Sequence, residues 1–249
     1  MLSEIPAVEL AAALDACAAE VLWEAGVDGP PVDAARVAER LGLVVARNDA
    51  MPVRGQFVRL AEPNGDGAGR GTIVVGPAER PERLQWAIAH EIGESVAHRV
   101  FASLGIAPYE TTPTAREQVA NHLAGCLLLP RRWFAADGPE LDWDLLQLKA
   151  RYATASHELI VRRMLEMRPT VVITLCDQGR IRWRRSNASV LPPQLLPAEI
   201  DAWRRAHHLA LAVSTSLDPT ITGLESIQAW PVHEPDWKRE ILRSAVAEW

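Results

Sequence analysis

Two consecutive helical runs constrain this chain more than any other feature. The first extends from about Pro81 to Leu104, and the second from about Thr114 to Leu129, where Pro130 stops it. A break at Gly105 and Pro108 separates them. The first run contains Trp86-Ala87-Ile88-Ala89-His90-Glu91-Ile92-Gly93-Glu94, apolar on one side. Residues four apart on a helix project from nearly the same side, about 6 Å apart along the axis. His90 and Glu94 can therefore converge on one ion. Glu91 lies beside them, where a carboxylate can polarise a water without entering the coordination sphere. The same spacing also fits an amphipathic helix with solvent-facing carboxylates.

The second run adds a related pair. Glu117 and Asn121 are again four apart and share a face. A catalytic metal site with two ligands on one helix takes a third from elsewhere and keeps a position open for water. Glu117 is suitably spaced to supply that ligand. Thr114-Ala115-Arg116-Glu117 is equally a capping-box pattern, with Glu117 a helix-start residue. Both readings stand at this point.

Elsewhere the chain alternates short elements. A helix is expected over Val8–Ala25, stopped by Gly26, and a second from an Asp33 cap to Leu41, stopped by Gly42. Strands are expected at Leu43–Ala46, Gly55–Leu60 and Thr72–Val75, the last two forming a hairpin around the Pro63–Gly69 turn. A helical pair falls between Trp143 and Met167, with a boundary near residue 168 where strand-like sequence begins after Pro169. A hairpin of Val171–Leu175 and Arg180–Arg184, a helix near Ala198–Leu211 and a final helix around Trp237–Val246 complete the expectation.

The net charge of −6 hides an asymmetry: acid exceeds base up to residue 148, and base exceeds acid beyond it. A basic stretch from Lys149 to Arg185 suits an acidic partner, and equally a salt-bridged surface. Cys17, Cys126 and Cys176 have no neighbour at metal-ligand spacing and read as reduced, buried thiols. With no visible secretory signal and no bilayer-length apolar run, the expected location is cytoplasmic.

The segment from Ala89 to Glu94, followed by Glu117-Gln118-Val119-Ala120-Asn121-His122-Leu123-Ala124-Gly125-Cys126-Leu127-Leu128-Leu129-Pro130, resembles the ImmA/IrrE family of metallo-endopeptidases. That family pairs His-Glu-x-x-His with a downstream Glu-x-x-Ala-Asn segment ending in Leu-Leu-x-Pro. Pro30-Pro31-Val32-Asp33 ahead of Leu41-Gly42, and a strand of the Thr72–Val75 type before Glu82-Arg83, are similar as well. The resemblance covers roughly residues 10–165. It implies an α+β fold: a zincin-like metallopeptidase domain over residues 1–168, with a small β-sheet packed on the metal-binding helices, then a mixed α/β C-terminal region over 169–249.

The resemblance implies His90 as first metal ligand, Glu91 as general base and Glu117 as downstream ligand. Glu94 occupies the second ligand's position, where the family carries His. Carboxylate is an accepted zinc ligand and favours harder ions, so zinc or another divalent metal such as manganese is expected. Asn121 and His98 are expected behind the ligands. His98, eight residues beyond His90, is about 12 Å along the helix and too far to be a ligand. His122 points off the Glu117 face, and His207 and His208 show no metal spacing. Tyr109 is a candidate oxyanion donor, and Thr72, Ile73, Val74 and Val75 are the candidate edge strand for an extended substrate.

The expected activity is regulatory cleavage of a protein partner, a helix-turn-helix transcriptional repressor, without membrane or direct nucleic-acid binding. Two alternatives remain open. One is a family member with impaired catalysis that acts by binding proteins; the other is a DNA-binding regulator using the basic C-terminal half.

Overall fold

The structure, a computed structural model, describes residues 2–50, 55–60, 70–188 and 192–247. The chain forms two compact units, Met1–Ala136 with Ala150–Ser156, and Asp137–Lys149 with His157–Trp249. The expected Pro63–Gly69 turn lies outside the described residues.

The first unit contains α1 (Ala7–Glu24), α2 (Ala34–Arg40), β1 (Val44–Arg47), β2 (Gly55–Leu60), β3 (Arg70–Val75), α3 (Pro81–Ser103) and α4 (Pro113–Leu128). Gly26 and Gly42 adopt φ of 66° and 77°, the left-handed conformation that ends α1 and α2 without a Cβ clash. Asp33 caps α2 by accepting from the amides of Ala35 and Arg36. Gln85 on α3 donates to that same Asp33 carboxylate and accepts from the Ala34 amide, which ties the start of α2 to α3.

Helix α3 is the centre of this unit. It packs on α4, and both helices contact α1; Ala89, Ile92, Val96 and Val100 of α3 and Val119, Ala120, Leu123 and Leu127 of α4 are buried. Burying each large apolar side chain contributes roughly 1.5–3 kcal/mol. The other side of α3 lies on a three-stranded sheet of order β1-β3-β2, with β1 parallel and β2 antiparallel to β3.

After α4 the chain passes between the units within α5 (Arg131–Glu140) and α6 (Leu145–Arg151). The second unit continues with α7 (His157–Met164), β4 (Val171–Asp177), β5 (Arg180–Ser186), α8 (Pro197–Leu209), β6 (Val213–Ser216), α9 (Pro219–Thr222), β7 (Leu224–Pro231) and β8 (Arg239–Val246). Its five strands form an antiparallel sheet of order β5-β4-β8-β7-β6. Helix α8 packs on β7 and β8 through Ala202, Ala206, Ile227, Ala229 and Leu242.

The expected final helix at Trp237–Val246 is instead strand β8. Paired with β4 on one side and β7 on the other, Glu240 to Ala245 are buried on both faces. A strand buried on both faces loses the period-two alternation that would reveal it, and its apolar spacing imitates a helix. Several arginines of this half are paired with carboxylates of the same unit. Arg184 pairs with Glu199, Arg239 with Asp177 and Glu158, Arg162 with Glu158, and Arg163 with Glu166. All three cysteines are buried and outside any disulfide, as expected. Among the described residues no helix is long and apolar enough to cross a membrane.

Candidate metal centre

Three side chains of α3 meet at one point. A ring nitrogen of His90 and carboxylate oxygens of Glu91 and Glu94 all lie within 4.8 Å of one another. The cause is local: His90 and Glu94 are one turn apart, and Glu91 borders that face from its buried side. Glu91 is 4% exposed and Glu94 is open to solvent.

Glu117 reaches the same imidazole from α4, with its Oε2 3.5 Å from His90 Nε2. Helix α4 is capped by Thr112, whose Oγ1 accepts from the Ala115 amide at 3.2 Å, with Pro113 in the first turn. The capping-box alternative is thereby removed, and Glu117 is free to face His90. Asn121, one turn on, donates through Nδ2 to Glu117 Oε1 at 3.0 Å and to the Glu117 carbonyl at 2.9 Å. That clamp occupies one carboxylate oxygen and leaves Oε2 toward the imidazole.

The helices meet this closely because of Gly93. A Cβ there would stand 2.9 Å from the Ala120 carbonyl oxygen and 3.1 Å from the Leu123 Cβ. No side chain fits without moving one backbone away from the other.

The electrostatics are dominated by negative charge. Burial pushes the Glu91 carboxyl above the usual range. The neighbouring His90 opposes that rise and the Glu94 charge adds to it; the Phe57 amide of β2 opposes it, and Glu117 adds again. Glu91 Oε2 is buried with no hydrogen-bond partner among the described residues. Three carboxylates gathered on one imidazole, one with an orphaned buried oxygen, form a donor set that fits a divalent cation. The side chains that could contribute are His90, Glu91 and Glu94, whose ligand atoms converge, and Glu117, which lies against His90.

The sequence profile of the IrrE N-terminal-like domain, Peptidase_M78, matches residues 38–164. The chain belongs to this family. The resemblance drawn from the paired helix motifs is borne out, as is the α+β fold expected from it. A solved structure described as a Mycobacterium tuberculosis transcriptional regulator shares the fold of this Peptidase_M78 member, with a TM-score of 0.60 and 20% identity. The match covers 94% of this chain and 75% of that one. Among curated proteins no relative matches.

One residue assignment in this IrrE-like domain needs correction. Thr72–Val75 is not an edge: β3 is the central strand, paired with β1 and β2, so its backbone groups are already occupied. The strand beside Glu91 is β2, an edge among the described residues, whose Phe57 amide faces that carboxylate. Tyr109 is 89% exposed in the short 3₁₀ turn Pro108–Glu110. The wall of the adjacent cleft, about 310 Å³, includes Phe57, Glu94, His98, Pro108, Thr111 and Arg116. His98 thus stands beside Glu94 on the cleft wall, with its Nδ1 3.1 Å from the Ser95 carbonyl oxygen. Sequence reading missed Phe57 and Arg116. Neither belongs to a motif, and the position of Phe57 follows only from the strand order.

Proposed function

We propose that this chain is a metal-dependent endopeptidase that cleaves a protein involved in transcription regulation, a helix-turn-helix repressor, in the cytoplasm. The observation that carries the reading is the meeting of His90, Glu91 and Glu94 on α3 with Glu117 from α4. Membership of a metallopeptidase family supports it. The repressor class rests on the family resemblance, together with a structural neighbour that is itself described as a transcriptional regulator.

A divalent ion such as zinc or manganese, held by His90, Glu94 and Glu117, would supply Lewis acidity toward water and the scissile carbonyl. Glu91 takes a proton from the attacking water and returns it to the leaving amine. Its raised pKa suits that exchange, because a base works best when its pKa approaches the working pH. Asn121 holds the Glu117 carboxylate in a fixed rotamer. The outer edge of β2 takes over the role first expected of Thr72–Val75, aligning an extended peptide beside Glu91 through backbone hydrogen bonds.

The second reading, a protein-binding regulator without catalysis, is favoured by one residue, Glu94 in place of the family's His. Purified protein incubated with a repressor encoded beside it separates the two. The peptidase reading requires cleavage that a chelator stops, that added zinc or manganese restores, and that Glu91→Gln abolishes. A stable complex with an uncut repressor in the presence of metal would establish the second reading instead.

A further inference from the structure

The second unit contains another group of metal-ligating side chains, drawn from three separate elements. His207 lies in the last turn of α8, His233 in the connection between β7 and β8, and Glu240 near the start of β8. Glu240 Oε1 is 2.9 Å from His207 Nδ1 and 2.7 Å from His233 Nε2. The three ligand atoms lie within 4.8 Å of one another.

The carboxylate is oriented from behind. Trp203 donates its indole N–H to Glu240 Oε2 at 3.0 Å, which turns Oε1 toward the two imidazoles. Trp203 and His207 are one turn apart on α8, so a single helix face supplies a ligand and the group that positions another. Glu240 is fully buried, while the imidazoles are 25% and 19% exposed. The site therefore has a closed anionic floor and two nitrogen donors at its solvent side.

A carboxylate in the first turn of the same helix shows what a purely structural solution looks like. Glu199, also fully buried, receives two N–H groups of Arg184, each at 3.0 Å, and the Ser244 hydroxyl at 2.5 Å. Its charge is matched by a guanidinium. Among the described residues Glu240 instead meets imidazole and indole nitrogens, a donor arrangement that leaves its charge to be matched by a bound cation.

We propose that His207, His233 and Glu240 form a second divalent transition-metal site, of the zinc class, separate from the centre on α3 and α4. Two imidazole nitrogens and one carboxylate oxygen are a donor set that zinc accepts with one position left open. Metal–ligand bonds of about 2.0–2.2 Å place donor atoms a little farther apart than hydrogen-bonded ones. Tetrahedral binding therefore spreads the group by roughly half an ångström. The bound ion pins the end of α8 to β8 and to the β7–β8 connection, so it stabilises this unit by mass action.

The test uses the full chain carrying His90→Ala and Glu117→Ala, which removes the first centre's ligands. After metal stripping, zinc is titrated calorimetrically and the retained metal is counted after dialysis. One zinc per chain is expected, with a higher melting temperature. Adding His233→Ala, or separately His207→Ala, should weaken binding at least tenfold and erase the visible absorption of the cobalt-loaded protein. Should the double variant fail to fold, unmodified chain binding one more zinc than His233→Ala gives the same answer. No stoichiometric zinc in the double variant, or equal zinc in the unmodified chain and His233→Ala, overturns the site.

Discussion

Gly93 on α3 faces the backbone of Ala120 on α4 so closely that a single added Cβ would stand 2.9 Å from the Ala120 carbonyl oxygen. This contact sets the distance between the two helices and hence the 3.5 Å approach of Glu117 to His90. Gly93→Ala therefore has to separate the helices. Overpacking of this kind costs about 1–3 kcal/mol. Chemical denaturation should show that loss, accompanied by weaker metal binding. Unchanged metal affinity in a folded Gly93→Ala protein would disconnect the contact from the site.

Glu91 is held against its own preference for water. Its carboxyl is buried, repelled by Glu94 and Glu117, and left with one orphaned oxygen. Glu91→Gln should raise the melting temperature of metal-free protein by a few degrees, because about 1 kcal/mol moves a chain of this size by roughly 2–4 °C. The same variant should lose all peptidase activity.

The pH dependence of that gain follows from the direction of the shift. A carboxyl whose folded pKa is raised favours folding while protonated and opposes it once ionised. The stability difference between Glu91→Gln and the unmodified protein should vanish at or below the ordinary Glu range. It should grow as pH rises through the raised folded value. Scanning calorimetry of metal-free samples across that window checks the sign; a gap that narrows with rising pH would contradict it.

Asn121 clamps Glu117 through two hydrogen bonds, one to its carboxylate and one to its carbonyl. Removing such a supporting hydrogen bond lowers metal affinity by about 10- to 100-fold. Asn121→Ala should show that weakening in competition with a chromophoric chelator while unfolding normally, since the residue is exposed.

Arg184 and Glu199 make the opposite kind of prediction, one of stability alone. Arg184→Met leaves the fully buried Glu199 carboxylate without its guanidinium. Breaking one side of a buried pair costs about 3–5 kcal/mol. Urea denaturation should register that loss, and Arg184→Met combined with Glu199→Leu should recover part of it. Zinc binding at the α3–α4 centre should be unaffected.

The sequence by itself determined what local periodicity can carry. The helix holding His90, Glu91 and Glu94, the helix holding Glu117 and Asn121, and the Asp33 cap with its Gly42 stop were all legible. Each depends on backbone hydrogen bonds and side-chain spacing within a few residues. Tertiary structure decided everything that needs distant segments to meet. It placed β3 between β1 and β2, which moved the free edge from Thr72–Val75 to β2 and set the Phe57 amide against Glu91. It turned Arg239–Val246 into a central strand, because neighbours on both sides bury both of its faces. It also gathered His207, His233 and Glu240 from a helix end, a loop and a strand. No spacing rule links those three positions, since their separation along the chain is unrelated to the distance that packing leaves between them.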